Sequence, residues 1–427
     1  MIYTADIILP ITSSPVKGGA ILVKEGRIVA IGERKTIIAE NRGQEIRDFR
    51  DTILMPGLVN LHGHFECASF GFLAEPAPFT QWLGRIIKAG REMEKDGWLR
   101  AARHGVTKSL EAGITCTADI TRTGAGLQAA AKVGMPACIY FEVVGVDDGN
   151  LVEAVVDLLE KIKGGESIAE ARGLRLGISP HSAYTLSSSA LKVCSDIARE
   201  YDLPLSIHLA ETQAEVELVW NGSGPLASTI SDRLKLEVIE QGGSGRTPAS
   251  FLDGFGLLKS SLVAAHGVWL SDEDIALLKE RDTPVAVCPT SNELLGVGEA
   301  PVSKFIDQGL AFGIGTDSLA SNPELDLFLE ARKVRELLEK QTGSKAGLSP
   351  RKLVEMMTID AARMLGFGDK LGSIEPGKRA DLIALDCDAK AAYIDPYDYL
   401  IENASQPSIS HTILGGRVIY SRQDANQ

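Results

Sequence analysis

Hydrophobic and polar positions divide the chain into two kinds of region. The first 50 or so residues alternate short β-rich runs with turns, as in residues 19–23 and 27–32, which Lys24-Glu25-Gly26 joins as a tight hairpin. The same texture returns near the C-terminus, in residues 372–386 and 411–420. Because short hairpins are unstable alone, we expect both ends of the chain to pair into one small β-sandwich.

Between these ends, short apolar runs alternate with amphipathic helical segments, which is typical of parallel βα units. Ala190, Cys194 and Ile197 repeat at helical spacing, and Ser271 with Asp274 predicts a capped helix start. Eight such units can be counted, and eight units close a (β/α)8 TIM barrel. The sequence therefore predicts an α/β fold, with sandwich strands in residues 1–57, the barrel in 58–369 and the remaining sandwich strands in 370–427.

The predicted barrel strands end at residues that can carry chemistry. In a barrel the βα loops converge at the C-terminal ends of the strands, so side chains at these ends share one site. Five of the seven histidines of the chain lie there, and only His104 and His411 lie elsewhere. The strand ends fall near His62 and His64, Asp119, Glu142, His181, His208, His266, Pro289 and Asp317.

A metal site is the first hypothesis for these residues. His62 and His64 are two positions apart on a strand, so their imidazoles point the same way. An isolated pair of this kind is more often two ordinary histidines, and Asp317 could simply cap a helix. Together with His208, however, these residues give three imidazoles and one carboxylate, which suit one divalent ion, Zn²⁺ first and Fe²⁺ as the alternative.

Glu211 and His266 are the candidate proton-transfer groups beside this ion. A bound divalent ion lowers the pKa of its water to roughly 7. We expect Asp317 to take the water proton, Glu211 to carry a proton to the ring nitrogen under attack, and His266 to orient or polarise the reacting group. The alternatives are a helix N-terminal acid for Glu211 and a hydrogen-bonded rim histidine for His266.

Several motifs resemble those of the amidohydrolase superfamily. Within it they are similar to the branch of S-adenosylhomocysteine/methylthioadenosine deaminases, aminodeoxyfutalosine deaminases, guanine deaminases and triazine chlorohydrolases. The resemblance covers essentially the whole chain. The motifs are Met-Pro-Gly-Leu-Val-Asn-Leu-His-Gly-His at 55–64, Ile-Ser-Pro-His-Ser-Ala-Tyr-Thr at 178–185, Ile-His-Leu-Ala-Glu-Thr at 207–212, Ala-His-Gly at 265–267, Cys-Pro-Thr-Ser-Asn at 288–292, Gly-Thr-Asp-Ser at 315–318 and Gly-Ser-Ile-Glu-Pro-Gly-Lys-Arg-Ala-Asp at 372–381.

This resemblance implies roles for named residues. The implied metal ligands are His62, His64, His208 and Asp317. Glu211 and His266 match the catalytic pair, and His181 matches a histidine that contacts substrate, although a strand-end hydrogen bond is its alternative. Dinuclear members of the superfamily bridge two metals with a carboxylated lysine on strand four. Residues 174–181 contain no lysine, so we expect one metal ion per site.

The resemblance also bears on the substrate. Phe79, Trp82 and Leu83 form a Phe-x-x-Trp-Leu motif. This motif resembles those of aminodeoxyfutalosine and adenosylhomocysteine deaminases more than that of guanine deaminase. We therefore expect deamination of an aminopurine nucleoside-like substrate, with aminodeoxyfutalosine first and adenosylhomocysteine, methylthioadenosine or adenosine next. A guanine deaminase or triazine (chloro)hydrolase is the alternative, and a non-catalytic assembly protein is the remote one.

Remote parts of the substrate could meet three further residues. Arg122, just past strand two, could pair with the benzoate of aminodeoxyfutalosine, as could Arg91, and a surface arginine without a role is the alternative. Glu92 lies near the position of the family's ribose-binding glutamate, and its role is open. Residues 213–258 form a long insertion, either a lid or an extra helical pair.

Composition excludes several classes of partner. The formal net charge of −13 argues against nucleic acid or an anionic membrane as the main partner, because both are repelled. Six dispersed cysteines fit neither a disulfide framework nor a zinc ribbon. The chain shows no signal-peptide pattern and no long uncharged apolar window, so we expect a cytoplasmic enzyme, with a homodimer as the default assembly.

Overall fold

The computed structural model describes residues 1–71, 73, 78–231 and 233–425. Its strands belong to two sheets, one at the chain ends and one in the middle of the chain. In chain order the strands are β1 (Ile2–Ile8), β2 (Val16–Lys24), β3 (Arg27–Glu33), β4 (Ile46–Pro56), β5 (Leu58–Gly63), β6 (Ile114–Thr121), β7 (Ala137–Val143), β8 (Arg175–Pro180), β9 (Leu205–Leu209), β10 (Leu262–His266), β11 (Val285–Val287), β12 (Phe312–Ile314), β13 (Leu382–Asp386), β14 (Ile409–Leu414) and β15 (Arg417–Ser421).

Helices connect most of the strands, and short 3₁₀ turns occur at Phe65–Ser69 and Gln406–Ser408. In chain order the α-helices are α1 (Arg34–Glu40), α2 (Phe79–Glu92), α3 (Lys95–Glu111), α4 (Ala125–Val133), α5 (Leu151–Arg172), α6 (Ser188–Glu200), α7 (Gln213–Asn221), α8 (Gly224–Ile230), α9 (Glu237–Glu240), α10 (Pro248–Asp253), α11 (Asp272–Glu280), α12 (Pro289–Leu294), α13 (Val302–Gln308), α14 (Leu327–Thr342), α15 (Pro350–Met356), α16 (Ile359–Met364), α17 (Ala389–Ala392), α18 (Pro396–Asn403) and α19 (Arg422–Ala425).

Both ends of the chain contribute to one seven-stranded sheet, as the sequence predicted. The strand order is β15-β14-β13-β4-β1-β2-β3, and the join between the two ends is the antiparallel pair β4 and β13. The sheet curls back on itself, because the Ile28 N–H donates to the Lys378 carbonyl at 2.9 Å and the Ala380 N–H donates to the Gly26 carbonyl at 2.8 Å. Its interior is filled by buried side chains that include Tyr3.

The middle of the chain forms the predicted barrel of eight parallel strands, ordered β5 to β12 without interruption. The first and last strands meet through side chain and backbone. Asn60 Nδ2 donates to Thr316 Oγ1 at 2.8 Å, the Thr316 N–H donates to Asn60 Oδ1 at 3.0 Å, and the Asp317 N–H donates to the His62 carbonyl at 3.0 Å. These bonds close the barrel at the C-terminal ends of its strands.

The apolar run at 53–61 serves both sheets, and Gly57 is where it changes direction. β4 ends at Pro56 in the terminal sheet, and β5 begins at Leu58 in the barrel. A Cβ atom on Gly57 would lie 2.0 Å from Thr115 Oγ1, so the backbone approaches its neighbour as closely as only glycine allows.

The helical predictions agree with the observed packing. Ala190, Cys194 and Ile197 are buried on α6, and Ser271 and Asp274 form a reciprocal capping box at the start of α11. Residues 213–258 contain α7 to α10, whose Leu218, Leu226 and Leu252 belong to the main hydrophobic core. Among the helices in the described ranges, none has the length and apolar character needed to cross a bilayer.

Candidate metal centre and active site

The four predicted ligands converge at the C-terminal end of the barrel. The Nε2 atoms of His62 and His64 each lie 3.6 Å from Asp317 Oδ1. His64 Nε2 also lies 3.4 Å from His208 Nε2. Strands β5, β9 and β12 therefore bring together residues that are up to 255 positions apart in the chain.

His62 shows that this cluster fits a cation. Its side chain is 1% exposed, and neither ring nitrogen has a hydrogen-bond partner among the described residues. Burial and the neighbouring His64 hold the pKa of His62 well below its usual value, so the imidazole is neutral and keeps a lone pair. A buried polar atom without a partner is costly, and a divalent ion would supply that partner.

Neighbouring groups fix which atom each ligand presents. His208 Nδ1 lies 3.0 Å from the His181 carbonyl, which can only accept, so the proton is on Nδ1 and the Nε2 lone pair faces the cluster. Asp317 Oδ2 accepts from the hydroxyls of Ser291 and Ser321, both at 2.7 Å, and Oδ1 faces the histidines. Sequence reasoning did not single out these serines, although Ser291 lies within the Cys-Pro-Thr-Ser-Asn motif.

Asp317 is ionised at neutral pH. Burial alone would raise its pKa, but His62, His64, His266 and the Ser321 hydroxyl outweigh burial and hold the pKa at about 2. The backbone of Asp317 adopts φ +61°, in the left-handed region. A non-glycine residue adopts this conformation only where its surroundings hold it, and such residues concentrate at functional sites.

His266 lies at the edge of the same cluster. One of its ring nitrogens lies within 4.8 Å of one ring nitrogen of His62 and one of His208, so the geometry would also allow it to act as a ligand. Its Nδ1 lies 2.9 Å from Asn292 Oδ1, and its Nε2 lies 3.8 Å from Glu211 Oε1. Asn292 was quoted in a motif but not given a role, and the structure shows that it orients this ring.

Glu211 is the buried acid of the site. It is 5% exposed, and burial together with Asp317 raises its pKa to about 7, while His266 opposes the rise. A carboxyl group with a pKa near neutrality can both give and take a proton at working pH. Glu211 follows β9 in a loop, so it lies beside the cluster rather than within the four predicted ligands.

His181 follows β8 and lies against the cluster. Its Nδ1 is 3.0 Å from Ser182 Oγ and 3.1 Å from Thr185 Oγ1, and its ring centroid is 4.6 Å from that of His208. Burial and the charges of the other histidines lower its pKa to about 3, so the imidazole is neutral. The strand-end hydrogen bonds of His181 are therefore present, and its contact with substrate stays a prediction.

The remote candidates lie further out. Arg122 is exposed. Burial raises the pKa of Glu142 to about 7, and the positive charge of Arg122 opposes this rise. Arg122 is therefore at the rim of the site and outside the metal cluster. Glu92 is 67% exposed and pairs with Lys88 at 3.9 Å, and Arg91 is also exposed on the same helix. The structure does not bring Glu92 into the cluster.

Glu66 is a buried acid that sequence reasoning missed. Its carboxylate accepts from the backbone N–H groups of Arg122 at 2.9 Å and Ala125 at 2.9 Å, and from the Thr123 hydroxyl at 2.7 Å. It thereby holds the loop between β6 and α4 at the barrel mouth. The only sequence signal was its position two residues after His64.

Comparisons with known proteins agree with this geometry. The profile of the amidohydrolase family matches residues 53–419. The chain is 32% identical over 413 residues to the 5-methylthioadenosine/S-adenosylhomocysteine deaminase of Nitratidesulfovibrio vulgaris (strain Hildenborough), with 95% of this chain and 88% of that protein covered.

Two solved structures show that the fold is shared. An adenosine deaminase from Xanthomonas campestris with bound zinc has a TM-score of 0.79 and 24% identity, over 99% of this chain and 93% of that one. The aminofutalosine deaminase of Helicobacter pylori in complex with methylthio-coformycin has a TM-score of 0.80 and 20% identity, over 98% of this chain and 100% of that one.

Proposed function

The chain belongs to the amidohydrolase family, and from this premise we propose that it is a metal-dependent deaminase of an adenine nucleoside-like substrate. One observation carries the proposal. His62, whose ring nitrogens have no hydrogen-bond partner among the described residues, lies buried with His64, His208 and Asp317, next to an acid and a histidine that can handle protons. Such a set suits hydrolysis at a ring carbon that bears an amino group.

His62, His64, His208 and Asp317 are the proposed ligands of one ion, Zn²⁺ first and Fe²⁺ as the alternative. When bound, the ion would supply Lewis acidity that generates a nucleophile at neutral pH. The absence of a lysine from β8 supports a single ion, since a bridging carboxylated lysine has no place there.

The residues of the chain then divide the proton transfers. Water attacks the amino-bearing ring carbon, and Asp317, ionised at neutral pH, accepts a proton released in the attack. Glu211 gives a proton to the adjacent ring nitrogen, for which its pKa of about 7 is suited. His266, held by Asn292, polarises the reacting group. As the C–N bond of the tetrahedral carbon breaks, Asp317 returns its proton to the departing amino group, which leaves as ammonia. Glu211, which gave its proton to the ring nitrogen, takes the proton of the hydroxyl as that group becomes the carbonyl.

Similarity to known deaminases narrows the range of candidate substrates. Sequence motifs favoured aminodeoxyfutalosine, and similarity to the deaminase of N. vulgaris over 95% of the chain supports methylthioadenosine and adenosylhomocysteine. These compounds share an adenine nucleoside with an extended 5′ substituent. We propose that His181 contacts the substrate and that exposed Arg122 meets the distal substituent, with a carboxylate as its best partner.

A panel of compounds tests the substrate class. Purified protein is incubated with aminodeoxyfutalosine, adenosylhomocysteine, methylthioadenosine, adenosine, guanine and a chlorotriazine, and released ammonia or chloride is measured. We expect ammonia from one or more of the adenine nucleosides. Ammonia from guanine alone, or chloride from the triazine alone, would contradict the proposal and favour the alternative hydrolases.

Metal analysis tests the ligand set. We expect one equivalent of zinc or iron in the native protein, and loss of that metal and of activity in His62→Ala. His104→Ala is the matched control, because His104 is exposed on α3, outside the cluster. A protein with no stoichiometric metal, and no activity after metal is added, would favour a non-catalytic assembly protein.

Three further expectations remain proposals. The first is the division of the chain at 57/58 and 369/370, and the end of β4 at Pro56 and the start of β5 at Leu58 support the boundary at 57/58. Cytoplasmic location and a homodimer are the other expectations, and sedimentation analysis would test the dimer.

A further inference from the structure

Thr212 and Glu215 have the spacing of a helix capping box, but the structure uses Glu215 differently. In a capping box the acid at the third helical position bonds to the N–H of the N-cap residue. Here Thr212 Oγ1 does accept from the Glu215 N–H at 3.0 Å. The Glu215 carboxylate instead reaches further back along the chain. Oε1 accepts from the Ala210 N–H at 2.9 Å, and Oε2 accepts from the Glu211 N–H at 3.0 Å.

These two amides belong to the segment from which the Glu211 side chain leaves. Ala210 has φ +49°, a left-handed conformation that residues other than glycine adopt only where the surroundings hold it. The carbonyl of Ala210 accepts from the Trp269 N–H at 2.8 Å, and that of Leu209 accepts from the Gly267 N–H at 3.1 Å. The segment is therefore held on one side by Glu215 and on the other by the loop that follows His266.

Glu215 is built into this position. Its side chain is fully buried, and a buried carboxylate persists only where hydrogen bonds replace its water shell. Both of its oxygens are used by the two amides, which are themselves buried.

We propose that Glu215 is a positioning residue for Glu211. Its two oxygens fix the strained peptide at 210–211 and so set the direction in which Glu211 points toward His266 and the reacting atoms. This inference rests on the proposed function, in which Glu211 transfers a proton. A displacement of about 1 Å in such a group is enough to slow a reaction on the order of a hundredfold.

The kinetic test uses the intact metal-loaded protein. Glu215→Gln keeps the size of the side chain but presents an NH2 group to one of the two amides. We expect kcat to fall about 10- to 100-fold, with KM changed less than about threefold and metal content unchanged. The double variant Glu211→Gln/Glu215→Gln should be no slower than Glu211→Gln, because a positioning residue has nothing to add once its target is lost.

Asp326→Asn is the matched control. Asp326 is also a buried carboxylate that accepts from backbone N–H groups, those of Phe328, Leu329 and Gln406, at 2.9, 3.2 and 2.8 Å. We expect its kcat to remain that of the wild type. An equal loss of kcat in this control, or a multiplicative loss in the double variant, would overturn the proposal, as would loss of metal from Glu215→Gln.

Hydrogen exchange gives a readout that does not depend on turnover. We expect the amides of Ala210 and Glu211 to exchange at least about tenfold faster in Glu215→Ala, or in Glu215→Gln if the alanine variant does not fold. Unchanged exchange would show that Glu215 does not hold the segment. If the wild type deaminates none of the compounds, the proposed function fails, and the exchange result still decides whether Glu215 holds residues 210–211.

Discussion

His208 and Asp317 each use one side of a functional group for support and the other side for the site. The Nδ1 atom of His208 is engaged by a backbone carbonyl, and Oδ2 of Asp317 is engaged by two serine hydroxyls. Because the supported atom cannot turn toward the cluster, the opposite atom must. Hydrogen bonds of this kind fix the orientation of the supported group, and Ser291 and Ser321 thereby hold Oδ1 of Asp317 toward the histidines.

Glu211→Gln tests the role of the buried acid. Glutamine has nearly the same size but cannot transfer a proton, so we expect kcat to fall about 10²- to 10⁴-fold while metal content stays at the wild-type level. Activity and metal content are measured on the same preparation, with exposed Glu240→Gln as the control. Loss of metal from Glu211→Gln would mean that Glu211 is a ligand.

Glu330 gives stability a predictable pH dependence. Burial raises its pKa from 4.5 to about 7, although Thr290 and Asn322 oppose the rise by hydrogen bonding. Because the folded state holds this proton more tightly than the unfolded state, the contribution of Glu330 to the free energy of unfolding falls as pH rises from about 4.5 to about 7. The stabilisation by Glu330 is fully present below pH 4.5 and is lost above about pH 7.

The Glu330→Gln variant isolates that contribution. We expect the free energy of unfolding of the variant, relative to the wild type, to increase by about 2–3 kcal/mol between pH 5 and pH 8. Denaturant unfolding at both pH values measures the difference. If the free energies of unfolding of variant and wild type differ by the same amount at pH 5 and pH 8, the pKa of Glu330 is not raised in the folded protein.

At the scale of elements, short strands and capped helices place the site residues. β12 spans only Phe312–Ile314, and the chain then turns so that Asp317 reaches the cluster with φ +61°. His266, at the end of β10, has φ +71°. Two side chains of the site thus leave the backbone where it departs from regular strand geometry, which is where strain is usually stored in active sites.

Ser271→Ala tests the cap of α11. The Ser271 hydroxyl accepts from the Asp274 N–H at 3.1 Å, and the Asp274 carboxylate accepts from the Ser271 N–H at 3.1 Å. Removing the hydroxyl should lower the free energy of unfolding by about 0.5–2 kcal/mol, as measured by denaturant unfolding. Ser228→Ala, on the exposed face of α8, should change it by less than about 0.5 kcal/mol, and equal effects would contradict the capping role.

At the scale of the whole molecule, the barrel closes through Asn60. Its side chain binds both the backbone N–H and the hydroxyl of Thr316, and so joins the first barrel strand to the last. His62 and Asp317 lie directly beyond this bridge. The contacts that close the barrel therefore also place two of the proposed metal ligands.

Asn60→Ala should damage stability and metal binding together. The Thr316 N–H would be left buried without an acceptor, which costs about 1–3 kcal/mol of unfolding free energy. Because His62 and Asp317 would lose their relative placement, we also expect metal affinity to fall about 10- to 100-fold, measured by competition with a chelator. Asn403→Ala, at an exposed position at the end of α18, is the control, and normal metal affinity in Asn60→Ala would contradict the coupling.

The sequence by itself determined the sheet-forming ends, the eight βα units and the residues at the strand ends, because hydrophobic period and residue type are local properties of the chain. It also predicted which residues would meet, since parallel strands of a barrel end on one face. It did not determine what holds them. The contacts of Glu215, Asn292, Ser321 and Glu66 depend on loops whose directions are set by packing between distant segments.

The exposed position of Glu92 was decided by tertiary structure for the same reason. On a helix, the face that turns inward depends on what the helix packs against, and the sequence of α2 alone does not fix this. Tertiary structure also decides the protonation states of Glu211 and Asp317, because their pKa values depend on burial and on charges from other strands. Residue identity sets the available chemistry, and tertiary packing sets the protonation state and direction in which it is used.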